Sequence, residues 1–131
     1  MFLSKIRLYK ELDNRVFMKR LNNLYEQIYE YKNLREAFHK AVKGKHLKPE
    51  VIAFKKNFDK NMEKIRMQLV NRDVQVGNYY FFHIHDPKPR HVCAACFEER
   101  ILHHAIMNIC EPILDRYSIY DSYACRQLYL K

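Results

Sequence analysis

The sequence predicts an α+β fold, mainly helical, in which basic N-terminal helices precede one β-hairpin at about 79–94 and a buried helix follows. Three observations predict it. Apolar residues recur every three or four positions through 12–42, 54–69 and 97–113, an aromatic run without helical spacing follows Gly77, and only 2 Gly and 4 Pro punctuate 131 residues. So little Gly excludes a Gly-rich phosphate loop and a turn-dense β architecture, while 48% hydrophobic residues argue against wholesale disorder.

The first helical stretch sets Phe17, Leu21, Leu24, Ile28, Tyr31, Leu34, Phe38 and Val42 on one stripe. One long helix or two joined near Tyr31-Lys32-Asn33 satisfies the spacing. Asn33 followed by Glu36 has capping-box spacing, which favours a break there. Gly44 closes the stretch, with Lys40, Lys43 and Lys45 gathered where the helix dipole is negative. Pro49 suits the first turn of a second helix, whose apolar stripe is Phe54, Phe58, Met62, Ile65 and Leu69. On another face Lys56, Lys60 and Lys64 stack at four-residue intervals. This ladder is either a solvated face, its repulsion offset by Asp59 and Glu63, or a stripe that tracks phosphates.

Tyr79-Tyr80-Phe81-Phe82-His83-Ile84-His85 has strand composition. Asp86-Pro87-Lys88-Pro89 is a turn, because its prolines fix φ and remove donors, and Arg90 to Ala94 returns as a second strand. The hairpin tip therefore carries Lys88 and Arg90. From Cys96 the helical period resumes with Phe97, Ile101, Leu102, Ala105, Ile106, Ile109, Cys110 and Ile113 on more than one stripe, so burial on most sides is expected. Pro112 either kinks this helix or opens a new turn, and 115–126 is short, mixed and aromatic, with Tyr117, Tyr120 and Tyr123 three apart.

Charge divides the chain. Residues 1–72 hold 18 Lys/Arg and 8 Asp/Glu, net +10, whereas 73–131 hold 6 and 7, net −1. A polyanion suits the first half, since neutralising phosphates releases condensed counterions; a basic surface kept for solubility explains the charge equally well. The start Met1-Phe2-Leu3-Ser4-Lys5-Ile6-Arg7 meets charge too early for a secretory segment, and no apolar run nears the ~18 residues of a membrane span. Four Cys, all after residue 92, lack the pattern of a disulfide framework, so free thiols in a reducing cytoplasm are expected.

Few side chains have the spacing of a reaction centre. Cys93-Ala94-Ala95-Cys96 with His83 or His85 could bind zinc, but a single CxxC is weak evidence, and a strand cysteine and a helix-start cysteine point apart. Packing as small hydrophobes is the expected role of these cysteines. His103 and His104 are adjacent and so do not share a helix face. Glu98 and Glu99 sit where acids favour a helix start, and no paired carboxylates or two-metal cluster stand out.

The series Asp86-Pro87-Lys88-Pro89-Arg90, Phe97-Glu98-Glu99-Arg100-Ile101-Leu102-His103-His104-Ala105-Ile106-Met107-Asn108, Glu111-Pro112-Ile113 and Tyr120-Asp121-Ser122-Tyr123-Ala124-Cys125-Arg126 resembles the opening of a bacterial reverse transcriptase. Upstream, Asn33-Leu34-Arg35-Glu36-Ala37-Phe38 and Lys43-Gly44-Lys45 fit the same family. It is similar to retron-type and group II intron-like enzymes, most of all to those of diversity-generating retroelements, over roughly 18–126. Ordered, spaced motifs are more specific than any one alone.

The resemblance implies an N-terminal extension at 1–17 and, at 18–131, polymerase fingers with the start of the palm. Arg90, with Lys88 as its companion, and Arg126 would hold a nucleotide triphosphate; a planar guanidinium can bridge phosphate oxygens. Lys43, Lys45, Lys56, Lys60, Lys64 and Arg100 would hold template RNA or an RNA/DNA hybrid, although Arg100 could equally be a structural ion-pair partner. The family's catalytic aspartates and their Mg²⁺ belong to a Tyr-x-Asp-Asp motif, which these 131 residues do not contain. The chain itself is therefore expected to hold no cofactor or metal and to be inactive alone, as the product of a truncated or frame-shifted reading frame or as an excised fragment. Expected partners are RNA, a retroelement accessory protein or the missing palm, and a second copy docking on an uncovered apolar patch of the last helix; no membrane is expected.

Overall fold

The computed structural model describes residues 20–118. The 1–17 extension, Phe17, Tyr120, Tyr123, Cys125 and Arg126 lie outside the described residues. Among the described residues five helices and one hairpin follow in order: α1 Leu24–Ile28, α2 Tyr31–Val42, α3 Pro49–Lys56, α4 Phe58–Val70, β1 Tyr79–His85, β2 Pro89–Ala95 and α5 Phe97–Tyr117. The α+β, mainly helical class read from the sequence is the observed one.

The apolar stripes become one core. Leu34, Phe38 and Val42 of α2 meet Val51 and Phe54 of α3, Met62, Ile65 and Leu69 of α4, and Phe97, Ile101 and Ala105 of α5. At its centre Phe38 packs on Phe54, Phe58 and Phe97, with centroids 5.7, 4.8 and 6.1 Å away, mostly edge to face. Leu21 and Tyr31, expected on the stripe, are exposed instead. Tyr25 Oη donates to the Leu69 carbonyl at 2.5 Å and Arg72 lies over its ring, which fastens α1 to the end of α4.

Two helix boundaries differ from the expectation. The first stretch does break, but at Tyr29–Glu30, and Asn33 is not a cap. It is buried within α2, where its amide donates to the carbonyls of Ile28 (3.0 Å) and Ala105 (2.9 Å) and accepts from Asn108 Nδ2 (3.0 Å). A tertiary network has taken the side chain that local chemistry would use for capping. The second stretch is two helices, because Asn57 leaves helical geometry (φ −126°, ψ 46°) and Asn61 Nδ2 donates to the Phe54 carbonyl at 3.0 Å. At the end of α2, Gly44 takes φ +73°, as expected of a residue closing a helix.

The hairpin is antiparallel, with Tyr79 opposite Ala95, His83 opposite His91 and Ile84 opposite Arg90. Every residue of β1 is exposed, so the ribbon projects from the core instead of covering it. Helix α5 runs through Pro112 to Tyr117. Its buried residues end at Ala105, and Met107, Leu114 and Tyr117 are exposed. Burial on most sides is therefore met only in the first half of α5.

Candidate nucleic-acid interface

Residues 20–72 carry 13 Lys/Arg against 6 Asp/Glu, and the fold leaves nearly all of the cations exposed. Lys43 and Lys45 follow the C-terminus of α2, which needs cations and leaves their ammonium groups in solvent. Lys40 from the same end donates to Asn108 Oδ1 of α5 at 2.5 Å. The charges of Lys40 and Lys45 also reach His104, whose imidazole is held below its ordinary range by burial first and then by these cations. The end of α2 thus meets α5 at Asn108 and His104.

The lysine ladder is rearranged by the break at Asn57. Lys56 ends α3, while Lys60 and Lys64 belong to α4, so a single helix does not stack the three. All three remain exposed. Lys64 lies 3.4 Å from Glu98, an exposed pair of the kind worth about 0–1 kcal/mol.

Arg100 is turned inward. Its guanidinium pairs with Glu50 of α3 and lies 5.5 Å from the Phe97 ring centroid, with only 18% of the side chain exposed. Of the two roles open to it from the sequence, the structure places it in the ion pair. Lys88 and Arg90 are exposed at the hairpin turn and the start of β2. Arg90 shares its face of the ribbon with Tyr80 and Phe82, whose rings lie 6.0 Å apart at 26°. Arg126 lies outside the described residues.

The sequence reading missed the role of Glu99. Its carboxylate is buried, accepts the Gly77 N–H and the Tyr79 hydroxyl at 3.1 Å each, and lies 3.5 Å from His103 Nε2. It clamps the base of the hairpin to the first turn of α5, and it raises the Tyr79 hydroxyl pKa by accepting its proton's hydrogen bond. Position in a first helical turn was sufficient explanation for an acid, which hid this role. The signal available was Gly77 and Tyr79 at the foot of a strand with no other anchor.

Cys93 is exposed in β2, and Cys96 and Cys110 are half-buried. The packing role expected of these cysteines fails for Cys93, because the ribbon does not lie on the core. All three are free thiols. Among the described residues no group of three His, Cys, Asp or Glu could hold a metal ion, and no helix is long and apolar enough to cross a membrane. Comparison with protein-family models and with curated proteins finds no match for the chain.

Proposed function

We propose that the chain serves as the fingers portion of an RNA-directed DNA polymerase of the retron-type and group II intron-like class. In this reading Lys43, Lys45, Lys56, Lys60 and Lys64 hold the backbone of template RNA or of an RNA/DNA hybrid. Lys88 and Arg90 hold the triphosphate of a nucleotide, joined by Arg126. Arg100 positions α5 against α3 and does not touch nucleic acid. The Mg²⁺ of the full enzyme would be held by carboxylates that these residues do not include, so binding and not phosphoryl transfer is the activity assigned to them. A reducing cytoplasm fits the free thiols of Cys93, Cys96 and Cys110 among the described residues.

One observation carries the reading. Lys88-Pro89-Arg90 falls at the turn of an exposed hairpin, directly ahead of the helix containing Phe97 to Asn108 and after a set of basic helices. This is the order of elements that the resemblance requires. The test is a titration of labelled single-stranded RNA at rising salt. Affinity should fall steeply with ionic strength, and neutralising Lys43, Lys45 and Lys60 together should lower the log–log slope by about 2, at ~0.7 per lost phosphate contact. Binding insensitive to salt or to these lysines refutes it.

A second reading rests on a separate observation. Met107, Leu114 and Tyr117 expose apolar surface on the second half of α5, which favours docking to a protein such as a palm domain or accessory subunit, or to a second copy. Capture of a defined palm domain that survives nuclease treatment would favour it.

A further inference from the structure

The face of the hairpin opposite Arg90 carries a different set of side chains. Phe81, His83 and His85 alternate along it on β1, and the register sets Cys93 across from Phe81 and His91 across from His83. The His83 and His91 ring centroids are 4.6 Å apart with planes inclined by 21°. Phe81 also stacks on His91, at 5.4 Å and 29°. Both imidazoles are exposed.

Two imidazoles on one tetrahedral ion, with metal–nitrogen bonds of about 2.0–2.1 Å, have centroids roughly 5 Å apart. The observed spacing is close to this. The observed stack does not itself aim the nitrogens at one point; binding would turn each exposed ring about its Cβ–Cγ bond, a soft two-fold torsion. We propose that His83 and His91 form a two-imidazole site for a borderline transition-metal ion such as Zn²⁺, water completing its coordination. The ligand type suits zinc, copper or nickel over magnesium or calcium. His85 and Cys93, each two residues along its strand on the same face, are the nearest further donors in register.

The ion would act as a clip across the ribbon. A two-stranded hairpin exposed on both faces is marginal in water, and an ion that binds only the paired strands stabilises them by mass action. The inference does not rest on the nucleic-acid reading, since it concerns the other face of the ribbon.

The test titrates Zn²⁺ into the full chain by calorimetry in a non-chelating buffer, with imidazole ¹H–¹⁵N spectra in parallel. One-to-one saturable binding is expected, with the ring signals of His83 and His91 both moving. Because even outer-shell partners are worth 10–100-fold in affinity, His83→Ala and His91→Ala should each weaken binding at least about tenfold. His46→Ala, on an exposed residue elsewhere, should not. Absence of saturable binding, an unchanged affinity in either hairpin variant, or binding lost in Cys93→Ser but kept in both histidine variants overturns the proposal. Circular dichroism of each variant checks that the helices are retained.

Discussion

Replacing Asn33 tests whether the junction of α1, α2 and α5 is held as described. Its side chain is 7% exposed and fully used, with both amide hydrogens on carbonyls and the oxygen accepting from Asn108. In Asn33→Ala the Ile28 carbonyl, which ends a short helix and has lost its helical partners, stays buried without a donor, at about 1–3 kcal/mol. The Ala105 carbonyl lies mid-helix and keeps its backbone bond, so its loss is about 0.5–1 kcal/mol, and half-buried Asn108 can turn to water. The sum is about 3 kcal/mol, or roughly a 10 °C fall in Tm for a chain of this size. Asn33→Asp should cost more near neutral pH, because a carboxylate would face two carbonyl oxygens with no proton to offer. Urea denaturation followed by circular dichroism measures both. An alanine variant within about 0.5 kcal/mol of the parent, or an aspartate variant as stable as the parent, would refute the reasoning.

Arg100→Ala should lower stability by about 1–2 kcal/mol, discounted because Glu50 is 31% exposed, while leaving the salt slope of RNA binding unchanged; urea titration and RNA titration together check it. Glu99→Leu should release the hairpin base, with the Gly77 amide losing about 2 kcal/mol of protection in hydrogen exchange while the helical core amides hold theirs. His104 is held below 6.5 in the folded chain, so the unfolded chain binds the proton first; the stability is present above about 6.5 and is lost as pH falls from there toward the lower folded value. His104→Gln should flatten that part of the stability–pH curve, and an unchanged curve would count against the account. Lys88→Ala with Arg90→Ala should weaken nucleotide triphosphate binding at least tenfold without changing Tm by more than a degree or two, since both residues are exposed and outside the core.

The elements were legible where one physical cause dominates. Phe54, Phe58, Met62, Ile65 and Leu69 lie at helical spacing and reach the core, and two prolines around Lys88 fix the turn whatever surrounds them. Boundaries failed where a polar side chain had a distant partner. Asn33 belongs to a network with residues 72 and 75 positions away, and Asn61 reaches back over a break that apolar periodicity cannot register. Of the candidate site, the exposure of Lys43, Lys45, Lys60, Lys88 and Arg90 followed from their surroundings. The inward turn of Arg100 was one of two open alternatives, and only the position of Glu50 decides between them.

Helix α5 makes these findings depend on one another. Between Glu99 and Asn108, Glu99 takes the base of the hairpin, Arg100 takes Glu50 of α3, and Ala105 and Asn108 take Asn33 and Lys40 of α2. The basic helices and the hairpin make few other ties, so their separation is set by where these residues lie along one rigid rod. On the proposed reading, a nucleic-acid backbone gripped by α2 and α4 would stand at a set distance from the hairpin tip that carries Lys88 and Arg90, which a polymerase needs in order to align template and nucleotide. On this argument a Gly inserted after Ile101 should leave each half's own binding measurable, yet abolish any cooperativity between RNA and nucleotide triphosphate. Equal cooperativity in parent and insertion variant would show that α5 carries the two parts without coupling them.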